Sequence, residues 1–245
     1  MRERLDKLLV TRGLVASRQQ AQRLIMAGKV MIAGQVGGKA GDMLPSDIQL
    51  ELKEEDFPWA SRGGLKLVHA MEHWQINPQG WTCLDVGAST GGFTSVLLAH
   101  GASKVFAVDV GYGQLAWSLS QDARVVNLER TNARYLDRQH IPDPIDFLTM
   151  DISFISVRLV LPALLPLLQP HGQAVILIKP QFEVGKGKVG KGGVVREPEL
   201  RQQAVNEVVQ FAQAAGVHSV GVIPSPIIGP AGNVEFLYHF TINGG

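Results

Sequence analysis

The stretch CLDVGASTGGFTSV, residues 83–96, constrains the fold more than any other part of the chain. An apolar run reads as a buried strand, glycines fall at 87, 91 and 92, and a second apolar segment follows. Glycines at a strand-to-helix turn let something approach the main chain closely, so the motif predicts both an α/β unit and a ligand. Strand and helix signals alternate through the rest of the chain. Strands are predicted over 82–87, 104–109, 124–128, 145–151, 173–179, 218–223 and 234–241. Helices are predicted over 65–74, 91–100, 113–120, 156–168 and 198–215. Such alternation predicts a Rossmann-like α/β fold with a seven-stranded, mostly parallel sheet covered on both faces.

The turn itself reads Gly87-Ala88-Ser89-Thr90-Gly91-Gly92. It has neither the G-x-G-x-x-G of dinucleotide sites nor the G-x-x-x-x-G-K-[S/T] of phosphate loops, and no lysine follows the glycines. A polyphosphate ligand is therefore not expected. Asp85 closes the first strand, and Asp109 closes the second in VFAVDVG. An acid at that second position accepts hydrogen bonds from ribose hydroxyls. Carboxylates beside the turn suit a ligand with positive groups. S-adenosylmethionine carries an adenosine, an ammonium and a sulfonium but no phosphate, so it is the expected cofactor. Its expected contacts are Asp85, the 87–92 turn, Asp109, Val110 and Asp151. The competing reading is an ordinary strand–turn–helix with no ligand.

Charge divides the chain unevenly. Residues 1–40 hold eight Lys and Arg against Glu3 and Asp6, a net of +6, and the whole chain carries only +1, so the remainder carries −5. A basic N-terminal module facing a polyanion fits that split, with a solvated basic face as the alternative. Within the module, Leu5, Leu8 and Leu9 share a helical face that Gly13 ends. Ser17 and Gln20 fit a capping box, followed by the stripe Ala21, Leu24 and Ile25 before Gly28. KVMIAG and DIQLEL then read as short strands. The pattern Arg4, Leu5, Asp6, Lys7, Leu14, Ser17, Arg18, Ala21, Leu24, Ile25, Gly28, Val30 and Gly34 resembles the S4-like RNA-binding domain. Ala33 departs from the asparagine often found before that last glycine. The resemblance implies a small α+β domain over 1–53, with Arg4, Lys7, Arg18, Arg23 and Lys29 facing RNA. A linker is expected over 54–63, where charge and a proline break the pattern, and the larger domain over 64–245.

One cysteine, Cys83, excludes an intramolecular disulfide and a cysteine-based zinc cluster, and its apolar strand favours a buried structural thiol. His69 and His73 lie one turn apart without a third ligand, so no metal is expected. The segment MRERLDK lacks the apolar core of a signal peptide, and LVLPALLPLL (159–168) is too short to span a bilayer. The expected location is the cytoplasm.

Two more charged residues close predicted strands: Asp151 in IDFLTMD and Lys179 in AVILIK. Ligands of open α/β sheets bind beyond the carboxyl ends of strands, so this pair is either catalytic or a structural ion pair. SRGGLKL, LDVGASTGGFT, VDVGYGQLAWSL, MDISFIS, IKPQFEVGKGKVGKGGVVRE and SPIIGPAGNVEFL occur in that order. Together they resemble the TlyA (hemolysin A) family over essentially the whole chain. That resemblance implies an S4-like domain joined to an FtsJ-like methyltransferase that modifies the ribose 2′-hydroxyl of cytidine in ribosomal RNA. It places the Lys–Asp–Lys–Glu set of such enzymes on Lys66, Asp151, Lys179 and Glu235. A hydroxyl acceptor must lose its proton as it attacks, and a lysine serves as base when desolvation and a second cation favour its neutral form. Lys179 is the expected base and Lys66 the second cation, with the reverse assignment open. DISF stands where methyltransferases of base amines carry an Asn/Asp-Pro-Pro-aromatic motif, which favours a hydroxyl acceptor. The loop EVGKGKVGKGG, with Lys186, Lys188 and Lys191, is expected to clamp the RNA backbone, and Arg62 to couple the two domains. The expected partners are ribosomal RNA or ribosomal subunits. Two rival readings are a noncatalytic ribosome-assembly factor on a methyltransferase scaffold and a membrane-lytic hemolysin.

Overall fold

The computed structural model describes residues 2–15, 17–26, 28–52, 58–185, 187–190, 192–229 and 232–243, without the Arg23 side chain. The chain divides into two compact units, Met1–Pro58 and Trp59–Gly245.

In the first unit, β1 (Arg2–Arg4) leads into α1 (Leu5–Thr11) and α2 (Arg18–Met26). Four short strands follow: β2 (Val30–Ile32), β3 (Gln35–Val36), β4 (Met43–Pro45) and β5 (Leu50–Leu52). Leu5, Leu8 and Leu9 are buried with Ala21, Ile25, Val30 and Leu50, so the two helical stripes and the strands share one core. Gln20 N donates to Ser17 Oγ at 3.2 Å, half of the expected capping box. β2 pairs antiparallel with both β3 and β5, and β1 with β4. Ala33 and Gly34 turn the β2–β3 hairpin with φ of 48° and 81°. Two positive φ values in a two-residue turn suit Asn-Gly, and Ala33 adopts the left-handed form at a cost.

The second unit contains α3 (Gly64–Trp74), β6 (Thr82–Val86), α4 (Gly92–Ala99), β7 (Lys104–Val108), α5 (Trp117–Ser120) and β8 (Val125–Leu128). It continues through β9 (Ile145–Met150), α6 (Leu161–Leu164), β10 (Leu168–Ile178) and α7 (Pro180–Glu183). α8 (Pro198–Ala214), β11 (Val217–Pro224) and β12 (Phe236–Ile242) complete it. The sheet order is β11-β12-β10-β9-β6-β7-β8, in which β12 pairs antiparallel with β10 and β11 and the other pairings are parallel. Successive residues of β6 serve opposite cores: Cys83 packs with Leu67, Phe93 and Phe147, whereas Leu84 packs with Phe106, Leu148 and Ile176. The sheet is covered on both faces, as strand alternation requires.

Several predicted elements differ from those observed. The helix expected over 113–120 is confined to Trp117–Ser120, because Gly113 has φ +63° and its N–H donates to Glu129 Oε1 at 2.9 Å. The helix expected over 156–168 is broken into a 3-10 turn, α6 and another 3-10 turn, since Pro162 and Pro166 remove backbone donors. The strand expected from 173 begins at Leu168, with an irregular register before Gln173. Residues 59–63, assigned above to the linker, pack within the second unit, where Ala60 N donates to Ser95 Oγ at 3.1 Å.

Candidate active site

The sheet order reverses between β6 and β9, and in open α/β sheets the crevice at such a point receives the ligand. The two strand ends are tied together there, Asp151 N donating to Val86 O at 3.0 Å. Gly87 follows with φ +82°, and a Cβ on it would stand 2.5 Å from the Asp151 carbonyl oxygen. Only glycine permits both the conformation and the approach. Lys179 closes β10 and precedes Pro180, which keeps it extended at φ −111°, ψ 101°. Lys66 lies on the buried side of α3, and Glu235 immediately precedes β12.

Four charges converge from these elements. Lys66 Nζ lies 3.1 Å from Asp151 Oδ2 and 2.7 Å from Glu235 Oε2. Lys179 Nζ lies 2.5 Å from Asp151 Oδ1 and donates to Ser153 Oγ at 2.9 Å. Burial pushes the Asp151 carboxyl up, but the ammonium groups of Lys179 and Lys66 outweigh it and hold it below the usual carboxylate range. Lys66, Lys179 and Glu235 are buried, and all four line a cavity of about 550 Å³. Buried charges of this kind persist only when paired, and here they alternate in sign.

The same cavity is lined by Gly87, Ala88, Ser89, Thr90 and Gly92, so the glycine turn and the charged set share one space. Gly91 does not line it; a Cβ there would strike Leu119 and Leu115, so this glycine serves packing against α5. Asp85 is 1% exposed and does not line the cavity; its two oxygens accept from Thr94 Oγ1 at 2.6 Å and Thr149 Oγ1 at 3.1 Å. Burial pushes its pKa up to about 6. Asp109 and Val110 also lie outside the cavity lining. Asp109 accepts from Ser89 N at 2.8 Å and Gly111 N at 2.7 Å, linking the glycine turn to the loop after β7. Cys83 is buried, and burial pushes its thiol up, away from nucleophilic use.

Among the expected RNA contacts, Arg4 and Arg18 share a carboxylate that is fully buried. Asp6 accepts from Arg4 Nε at 3.0 Å, Arg18 NH2 at 3.0 Å and Gln22 Nε2 at 3.1 Å. Hydrogen bonding to Arg4, against the cost of burial, holds the Asp6 carboxyl well below its usual range. Both arginine side chains remain about half exposed while bonded to this carboxylate. Lys7 pairs with Glu3 at 2.7 Å. Lys29 is partly buried at the start of β2, Arg62 is exposed at the cavity, and Lys188 is exposed in its loop. Lys186, Lys191 and the Arg23 side chain lie outside the described residues.

Sequence reasoning passed over several cavity residues. Ser153 holds Lys179, and Phe154 beside it is 91% exposed with φ +68°, its ring 5.4 Å from that of Phe182. Asn233 is buried, accepting from Val195 N at 3.0 Å and donating to Gly193 O at 2.9 Å, which ties the Gly/Lys-rich loop to the approach of β12. The signal for Ser153 was its position two residues after Asp151 in DISF; for Asn233 it was NVEF, two residues before Glu235. Among the described residues, no group of three or more His, Cys, Asp and Glu is placed to hold a metal, and no helix is long and apolar enough to cross a membrane.

A mostly parallel sheet with its ligand crevice at the switch point, a glycine turn and a paired Lys–Asp–Lys–Glu set define an α/β transferase domain, preceded by a compact module whose first forty residues are basic. The FtsJ-like methyltransferase model matches residues 59–242, and the S4 domain model matches residues 3–46. The chain is 53% identical over 236 residues to the 16S/23S rRNA (cytidine-2′-O)-methyltransferase TlyA of Mycobacterium tuberculosis, covering 96% of this chain and 88% of that protein. A solved structure of a hemolysin-designated protein from Streptococcus thermophilus is 42% identical, with a TM-score of 0.78 over 99% of this chain and 89% of that one. A Listeria monocytogenes protein designated an S-adenosylmethionine-dependent methyltransferase shares the fold alone, at 14% identity and a TM-score of 0.56 over 75% of this chain and all of that one. The chain belongs to the TlyA family of FtsJ-like methyltransferases with an N-terminal S4 domain.

Proposed function

We propose that the protein transfers a methyl group from S-adenosylmethionine to the 2′-hydroxyl of a cytidine in ribosomal RNA, acting in the cytoplasm on rRNA or a ribosomal subunit. The observation that carries this reading is the Lys66–Asp151–Lys179 bridge, closed by Glu235, in the same cavity as the 87–92 turn. The M. tuberculosis relative, named for cytidine 2′-O-methylation of rRNA, supports the substrate.

The cavity fits the cofactor on its own features. Gly87 leaves space where a Cβ would strike main chain, and the lining sets the Lys66 and Lys179 ammonium groups against the Asp151 and Glu235 carboxylates, with Arg62 as a third positive group. When bound on this turn, S-adenosylmethionine supplies an electrophilic methyl group. The chain's own residues then handle the acceptor. Asp151 and Glu235 hold the Lys66 ammonium, a fixed positive charge beside the oxygen as negative charge grows on it. Lys179 has a single carboxylate partner and a neutral hydroxyl, which makes it the better placed of the two lysines to accept the 2′-hydroxyl proton. Phe154 offers an exposed ring at the rim on which an unstacked base can rest. Arg4 and Arg18, braced by Asp6, are suited to phosphates.

The test is methyl transfer by wild type and Lys179→Ala. The variant is expected to lose about 10²–10⁴-fold in rate while keeping its affinity for S-adenosylhomocysteine. Full activity in both Lys179→Ala and Asp151→Ala would refute the assignment.

A further inference from the structure

A base must present its lone pair to the proton it takes. A neutral amine has two N–H bonds and one lone pair in a tetrahedral arrangement, and it turns about the Cε–Nζ bond unless both N–H bonds are held. Lys179 Nζ has two acceptors within reach, Asp151 Oδ1 at 2.5 Å and Ser153 Oγ at 2.9 Å. Asp151 alone is a single anchor around which the lone pair sweeps. The directed hydrogen bond to Ser153, added to the ion pair with Asp151, restricts that rotation and so the directions open to the lone pair.

Ser153 sits on a loop fixed at both ends. At its start Asp151 N donates to Val86 O at 3.0 Å. At its end Ser156 Oγ and Val157 N donate to the Glu183 carboxylate at 2.6 and 2.8 Å. Glu183 is buried in α7, which begins one residue after Lys179, so the segments carrying Ser153 and Lys179 are clamped to each other. Phe154, with its left-handed φ of 68°, turns the chain directly after Ser153. Such backbone is strained and persists where the surroundings impose it, commonly at functional sites.

We propose that Ser153 is a positioning residue for methyl transfer: by accepting a hydrogen bond from Lys179, it aims the amine lone pair at the acceptor hydroxyl. This rests on the function proposed above, in which Lys179 is the base. The ribose oxygen bonds to the methyl carbon, the electron pair of the broken C–S bond stays on sulfur, and the hydroxyl proton passes to Nζ. One positive charge is lost at sulfur and one gained at nitrogen. One N–H bond of the resulting ammonium is already satisfied by Ser153, its charge is paired with Asp151, and the newly formed N–H faces the methylated oxygen. Ser153 keeps its own proton throughout.

The experiment compares wild type, Ser153→Ala, Ser153→Thr and Lys179→Ala in single-turnover methyl transfer to rRNA, with affinities for RNA and S-adenosylhomocysteine measured separately. Ser153→Ala is expected to slow transfer about 10- to 100-fold, with both affinities within about twofold of wild type. Ser153→Thr keeps the hydroxyl, and position 153 is exposed enough to admit a methyl group. Its rate should return to within about threefold of wild type. Ser153→Ala within about twofold of wild type, with Lys179→Ala inactive, overturns the Ser153 role and leaves the Lys179 base standing. A loss carried entirely by weaker RNA binding makes Ser153 a substrate contact and overturns it too. Wild-type protein inactive on every RNA removes the proposed function and this role with it.

Discussion

Lys66 lies between two carboxylates, whereas Lys179 has one carboxylate and a serine. Glu235→Gln removes one charge from the Lys66 pair without changing its size. Folding stability is expected to drop by about 1–3 kcal/mol, read by urea denaturation, together with a loss of single-turnover rate. Asp85 behaves differently because its partners are hydroxyls. Its carboxyl titrates near pH 6 in the fold, above the ordinary value of 3.8, so its stabilising contribution is complete below pH 3.8 and lost as pH rises through 6. Asp85→Asn mimics the protonated acid. It should raise the melting temperature over wild type at pH 7.5 and lose that advantage near pH 4.5, while S-adenosylhomocysteine still binds. Abolished binding would restore Asp85 to the cofactor site. The sequence marked Asp85 as an acid at a strand end beside glycines, a pattern shared by ligand-facing and buried carboxylates. What separates them is the placement of Thr94 and Thr149, a tertiary fact. Ser153 was hidden for a related reason, since a serine in a loop carries no chemistry until an amine is placed against it.

At the scale of elements, the β6–α4 turn admits no side chain at Gly87 without moving main chain. Gly87→Ala would put a methyl group against the Asp151 carbonyl in a left-handed conformation. A loss of roughly 2 kcal/mol or more and failure to bind S-adenosylhomocysteine are expected, measurable by denaturation and calorimetry. The β2–β3 hairpin offers the opposite sign. Ala33→Asn relieves a left-handed alanine and should stabilise the first unit by about 1 kcal/mol, read from its thermal transition. The 87–92 turn was legible because glycine punctuates it and apolar runs flank it, whereas KVMIAG was read as a strand through the Ala33–Gly34 turn. The segments 113–120 and 156–168 were misread because apolar spacing persists through Gly113, Pro162 and Pro166, where backbone chemistry stops a helix. Lys66 and Glu235 were legible only through family resemblance, since 169 residues separate two side chains that touch.

For the whole molecule, the division of charge pointed to two jobs, and in the first unit Arg4 and Arg18 are fixed on the buried Asp6 carboxylate. Arg18→Gln leaves Asp6 paired with Arg4, so the unit should stay folded. The slope of log affinity for rRNA against log salt should fall by about 0.7–0.9, with methyl transfer at saturating RNA unchanged; a filter-binding salt series reads it. The second unit performs the chemistry, and its central claim is one transferred methyl on one ribose oxygen. The direct measurement is tritium transfer from S-adenosylmethionine to ribosomal subunits and naked rRNA, with the labelled nucleoside identified after digestion, for wild type and Lys179→Ala. A labelled 2′-O-methylcytidine that disappears with Lys179→Ala is the predicted result. Label on a base nitrogen or carbon, or full labelling by the variant, would contradict the account.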